Sequence, residues 1–141
     1  MVSRNPPLVI AATGLMKCYG ATPVVRDLDL AVPAGRCFGL LGPNGAGKTS
    51  TLRMILGVSP PTAGRLEVFG LPMPSAARQV RQRLGVVPQM DNLDPDFTVA
   101  ENLTVYGRYF GLRPDVLAQR VPQLLAFVNL SDKAQSQVEA L

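Results

Sequence analysis

The chain has 141 residues, 47% hydrophobic and 17% charged, and its 14 Lys and Arg against 10 Asp and Glu leave a formal net charge of +4. That length is about one globular domain, and no apolar run approaches the ~20 residues that a membrane-spanning helix needs. The opening residues Met1-Val2-Ser3-Arg4-Asn5-Pro6-Pro7 lack the apolar core of a secretory leader, and the apolar run at 8–12 is too short to supply one, so the expected compartment is the cytoplasm.

Residues 8–18 and 24–32 read as two strands joined by a turn at Gly20-Ala21-Thr22-Pro23. In the second, Val25, Leu28, Leu30 and Val32 supply an apolar face. Pro33-Ala34-Gly35 is a turn, and residues 36–41 form a more continuously apolar strand of the kind covered on both faces. A glycine-rich loop follows, then a helix over about 47–57. Pro60-Pro61-Thr62-Ala63-Gly64 opens a strand at 65–69, and a helix is expected at about 75–83. Leu84-Gly85-Val86-Val87-Pro88 reads as another buried strand, and residues 91–97 as a proline-broken loop. Thr98-Val99-Ala100-Glu101 has the form of a capping box and opens a helix to about Phe110. A last helix covers about 114–128, with Pro114 in its first turn. Pro122 inside it predicts a kink or break, because a buried helix loses roughly 3 kcal/mol at an interior proline.

Two residue classes carry little chemistry. Cys18 and Cys37 lie in apolar strand segments with no metal-ligand spacing, and the chain has no histidine, so buried reduced thiols are expected. Only Arg78, Arg81 and Arg83 cluster among the basic residues, on one surface helix without interleaved aromatics. A solvated helix face accounts for them better than a nucleic-acid surface, and no nucleic-acid partner is expected.

The chemistry concentrates at Gly42-Pro43-Asn44-Gly45-Ala46-Gly47-Lys48-Thr49, a complete G-x-x-x-x-G-K-[ST] phosphate loop between a strand pattern and a helix pattern. Its glycines let backbone N–H groups close on a polyphosphate. The helix that follows, starting with Ser50, adds roughly half an elementary charge aimed at the same anion. Lys48 reaches the terminal phosphates, and the Thr49 hydroxyl is placed to ligate Mg²⁺.

In order along the chain, Tyr19, the loop GPNGAGKT, Val87-Pro88-Gln89 and Thr98-Val99-Ala100-Glu101-Asn102-Leu103 resemble the ATP-binding subunits of ABC (ATP-binding cassette) transporters. The resemblance covers nearly the whole chain. It implies an α/β P-loop NTPase core with an antiparallel β edge, about residues 8–97, and the start of a helical subdomain, about 98–141. It implies that Tyr19, 23 residues before Gly42, stacks on adenine, where alone it would be a strand-edge aromatic. It implies that Gln89 touches Mg²⁺ and the attacking water. It implies ATP and Mg²⁺ as cofactors, a second ATP-binding subunit as homodimer partner, integral membrane permease subunits, and a peripheral place on the cytoplasmic face of the inner membrane. Glu101 is a capping residue and takes no catalytic part. Met90 and Phe97 could contact a membrane partner or belong to the core.

Within the family, residues 87–103 continued by Gly107-Arg108-Tyr109-Phe110-Gly111 resemble the group that exports nodulation lipo-chitooligosaccharide signals, with drug and polysaccharide efflux ATPases as the alternative. A soluble family member acting on ribosomes or DNA would need a second cassette or a coiled-coil insertion. A P-loop kinase or GTPase would be told apart by competition between ATP and GTP. The family's L-S-G-G signature, Walker B aspartate, water-activating glutamate and switch histidine have no counterpart here, so no catalytic residue is assigned, and the chain is expected to be the N-terminal piece of a longer protein.

Overall fold

The computed structural model describes residues 6–88 and 93–140. They fall into two compact units, Met1–Gly85 and Val86–Leu141. The first is built on a hairpin of two long strands, β1 (Leu8–Tyr19) and β2 (Thr22–Pro33). Gly20, at φ 58°, and Ala21 make the two-residue connection, so Tyr19 faces Thr22 directly. β3 (Ala63–Val68) pairs antiparallel with the other side of β1, and the short β4 (Leu71–Pro72) follows it, giving the order β2-β1-β3-β4. Pro23 and Pro33 sit on β2, the edge strand, where a missing N–H disturbs no ladder. The antiparallel β edge expected from the sequence is therefore present.

Helix α1 (Lys48–Ile55) lies against this sheet and buries Thr51, Met54 and Ile55. With Leu15, Val25, Leu66, Val68 and Val80 these form the core of the unit. Its end is set by Gly57 at φ 66°, whose N–H donates to Met54 O at 3.0 Å while Val58 N–H reaches Arg53 O at 2.9 Å. The short α2 (Ala77–Arg81) packs Val80 into the core and sends Arg81 Nη1 back to the carbonyls of Leu56 and Gly57, at 3.4 and 3.2 Å. Arg81 thus neutralises the negative end of α1 and is not simply a solvated charge. Arg83 lies over the Phe69 ring at 4.1 Å.

Two expected strands are not formed. Residues 36–41 and 84–88 run as extended segments without ladder partners. An interior parallel strand takes its hydrogen bonds from neighbours on either side, and among the described residues no strand lies beside either segment. Several of their apolar side chains accordingly face outward: Phe38, Leu41, Val86 and Val87 are 50%, 93%, 57% and 97% exposed, whereas Leu40 and Leu84 are half-buried. The same absence corrects the expectation for the thiols, since Cys37 is exposed and Cys18 only half-buried.

The second unit contains α3 (Val99–Tyr109) and α4 (Pro114–Phe127), with Val99, Val121 and Leu125 at its centre. The capping box is formed in full. Glu101 N–H donates to Thr98 Oγ1 at 3.2 Å, and Thr98 N–H donates to Glu101 Oε2 at 2.8 Å. The next two donors are also satisfied, Val99 N–H by Ser136 O and Ala100 N–H by Ala134 O, both at 3.0 Å. Buried Asn102 fastens the preceding loop by donating to the carbonyls of Asp94, Phe97 and Thr98 and accepting from Asp94 N–H. The break expected at Pro122 does not occur, and α4 continues through it. Pro122 and Ala118, whose carbonyl goes without an intrahelical partner, lie on the exposed side, where water can take the bond.

Thr98→Ala should destabilise the second unit by about 1 kcal/mol, read from urea unfolding. The Thr98 N–H, first, and the Thr98 hydroxyl hold the Glu101 carboxyl below its usual value. A group depressed in the folded state stabilises at neutral pH and loses that effect as pH falls through its folded pKa. The gap between wild type and variant should therefore narrow in acid.

Candidate functional site

The loop between residue 41 and α1 has three glycines at positive φ: Gly42 at 155°, Gly45 at 82° and Gly47 at 84°. Gly47 is the helix N-cap, and it lies so close to β2 that a Cβ on it would stand 2.4 Å from Val24 O and 3.0 Å from Val25 Cγ2. Both the left-handed backbone and the close approach require glycine there. Pro43, Asn44, Gly45 and Ala46 are exposed along the loop, and Ala46 N–H closes a turn on Pro43 O at 3.3 Å.

Helix α1 begins with its donors uncommitted. The first helical bond runs from Thr51 N–H to Gly47 O at 2.8 Å, so the N–H groups of Lys48, Thr49 and Ser50 precede it. No side chain caps them, and no acidic residue stands in the first turn. Lys48 Nζ donates to Gly42 O and Pro43 O, each at 2.7 Å, and so braces the loop. An ammonium has three protons, which leaves one for an anion. Thr49 is exposed, and its hydroxyl has no partner among the described residues. No group of three or more His, Cys, Asp or Glu among the described residues could hold a metal. A single hydroxyl beside a polyphosphate suits Mg²⁺, which keeps most of its waters and takes few protein ligands.

Tyr19 is 46% exposed at the end of β1. The Ser50 side chain above all draws its phenol below the ordinary tyrosine value; desolvation opposes it, and Ser59, Arg53 and the charge of Lys17 add smaller pulls in the same direction as Ser50. Its hydroxyl thus stands near the Ser50 side chain at the start of α1 despite the distance in sequence. Lys17 was not singled out by sequence. It is 8% exposed, lies over the Tyr19 ring at 5.1 Å and donates to Pro60 O at 2.7 Å. The two residues are two apart on one strand, so they share a face, and that periodicity was the available signal.

A cleft of about 630 Å³ opens between β2 and the loop, walled by residues including Val25, Leu40, Leu41, Ala46 and Lys48. Tyr19, Thr49 and Ser50 do not line it. It belongs to the uncovered apolar face beside residues 36–41. Gln89 and Met90 lie outside the described residues, and Phe97 is half-buried in the second unit.

Residues 25–141 match the ABC transporter family. Among curated relatives, the Nod factor export ATP-binding protein I of Cupriavidus pinatubonensis is 59% identical over 125 residues, covering 89% of this chain and 38% of the relative. Proteins of the same name from Cupriavidus metallidurans and Rhizobium meliloti are 55% and 50% identical over 94% and 97% of this chain, and 44% and 41% of their own lengths. The chain therefore spans about two fifths of the curated relatives it matches. A solved structure described as an ATP binding subunit of an ABC transporter superposes with a TM-score of 0.79 at 26% identity, covering 94% of this chain and 55% of that one. The α/β fold is thus that of an ABC ATPase.

Gly47→Ala should abolish binding of inorganic tripolyphosphate, since its methyl group would have to displace β2 or the helix start. Titration calorimetry checks this. Binding within twofold of wild type would show that the close approach at Val24 does not shape the loop.

Proposed function

The chain belongs to the ABC transporter family, and on that premise we propose that it is the phosphate-gripping part of a transporter's ATP-binding subunit. The observation that carries the reading is the uncapped start of α1, with three free N–H donors, the Lys48 ammonium and the exposed Thr49 hydroxyl gathered at one loop. The N–H groups of 48–50 would hold phosphate oxygens. Lys48 would exchange a loop carbonyl for a terminal phosphate, and Thr49 would ligate Mg²⁺, with Gln89 as a further ligand. Mg²⁺, when bound, supplies charge neutralisation at the phosphates. Gly42, Pro43, Asn44, Gly45, Ala46 and Gly47 would shape the cradle, Ser50 would add its N–H to the phosphate-facing donors, and Tyr19 would offer a stacking face to adenine.

Residues 8–97 then serve as the nucleotide-binding core and 98–141 as the start of the helical subdomain. In the intact protein two such subunits would clasp ATP, and hydrolysis would drive an integral membrane permease from the cytoplasmic face of the inner membrane. Among the described residues no helix is long and apolar enough to cross a membrane, which suits a peripheral subunit. The exported cargo is proposed to be a nodulation lipo-chitooligosaccharide, a reading supported by the names of the relatives and by the likeness at residues 87–111.

Lys48→Ala should reduce fluorescent-ATP binding below detection, since a charge-assisted hydrogen bond is worth roughly 1.5–3 kcal/mol. Unchanged binding would contradict the proposal. The 141-residue chain should also show no phosphate release above background, because no residue in it matches the family's water-activating glutamate. Turnover abolished by Lys48→Ala would overturn that expectation.

A further inference from the structure

Lys17 is a charged residue in a place that does not favour charge. It is buried at 8% exposure, and its ammonium donates to Pro60 O at 2.7 Å. The segment it reaches is fastened to β1 on both sides of that bond. Thr62 N–H donates to Met16 O at 2.9 Å, and Cys18 N–H donates to Thr62 Oγ1 at 3.0 Å. Three consecutive residues of β1, Met16, Lys17 and Cys18, thus clasp residues 60–62, and the next residue is Tyr19. The clasp fixes where the Lys17 ammonium stands, 5.1 Å from the centre of the Tyr19 ring. That distance is within the range of a cation–π contact. One face of the ring is therefore occupied by a cation, while the side chain as a whole remains 46% exposed.

We propose that Lys17 is a positioning residue for adenine recognition: pinned to Pro60 O, its ammonium holds one face of Tyr19 so that the opposite face is presented to the base. The inference rests on Tyr19 serving as the stacking platform. A ring held from one side loses less freedom when a base stacks on the other. A cation beneath the ring also draws its electron density away from the stacked base, which reduces repulsion between the two π systems. The burial of Lys17 keeps water from screening this contact. The effect belongs to the base half of the ligand, since the Lys17 ammonium is engaged by Pro60 O and the Tyr19 ring.

The test is titration of the full chain with ATP and, separately, with inorganic tripolyphosphate, comparing wild type, Lys17→Met, Lys17→Arg and each change combined with Tyr19→Ala. Lys17→Met keeps the length and removes the charge. It should weaken ATP binding by about five- to tenfold and leave tripolyphosphate binding within twofold. Lys17→Arg, which retains a cation over the ring, should recover most of the loss. In the Tyr19→Ala background Lys17→Met should have no further effect on ATP. Unchanged ATP affinity in Lys17→Met, equal loss for both ligands, or an undiminished effect without Tyr19 would each overturn the proposal. A wild-type chain that binds tripolyphosphate as tightly as ATP would overturn it as well. Failure of the phosphate-loop reading appears differently, as tripolyphosphate binding that survives Lys48→Ala.

Discussion

The site depends on one close approach, that of Gly47 to the β2 carbonyl of Val24. It sets α1 against the hairpin at a point where no side chain could fit, and it turns the chain so that the helix starts without a cap. The starts of α1 and α3 show what that means. At α3, Thr98, Glu101, Ser136 and Ala134 take up the backbone groups of the first turn. At α1 the corresponding donors of Lys48, Thr49 and Ser50 have no acceptor among the described residues, and the first turn holds no carboxylate. A capped helix start gains stability, whereas an open one keeps its positive end for a ligand. α3 takes the first solution and α1 the second; α4 also lacks a side-chain cap, but its start carries Pro114, which has no N–H, and the acidic Asp115.

The opposite end of α1 is stabilised conventionally. Gly57 stops it, and Arg81 from α2 covers its last carbonyls. With Met54 and Ile55 buried on the sheet, the helix is fixed along its length and at its C-terminal end. The loop itself is more lightly braced, by the two Lys48 bonds and the turn from Ala46 N–H to Pro43 O. Those bonds go to carbonyls that a bound polyphosphate could replace, so the brace can give way without disturbing the core.

Much of this could be read from local pattern. The hairpin followed from apolar alternation and the turn at Gly20, the capping box from Thr98 and Glu101, and the loop from glycine spacing. What local pattern could not supply was pairing. Residues 36–41 and 84–88 have the apolar character of interior strands, but a strand exists only with a neighbour, and neither has one among the described residues. Pro122 does not end α4, because the cost of a helical proline falls when the carbonyl it leaves unpaired faces water. Lys17, Arg81 and Asn102 were not legible as positioning groups. Lys17 and Arg81 work through carbonyls brought close only by the fold, 43 residues away along the chain for Lys17 and up to 25 for Arg81, whereas Asn102 gathers carbonyls four to eight residues before it.

The central claim is that the free donors at the start of α1 hold a polyphosphate. Backbone amide resonances followed by NMR during addition of MgATP test it most directly. The account predicts downfield shifts of the amide protons of Gly47, Lys48, Thr49 and Ser50 as they form hydrogen bonds to phosphate oxygens. It predicts no comparable change at Val99, Ala100 and Glu101, whose donors are already bonded. Unmoved amides at residues 47–50, or equal shifts at the start of α3, would contradict it.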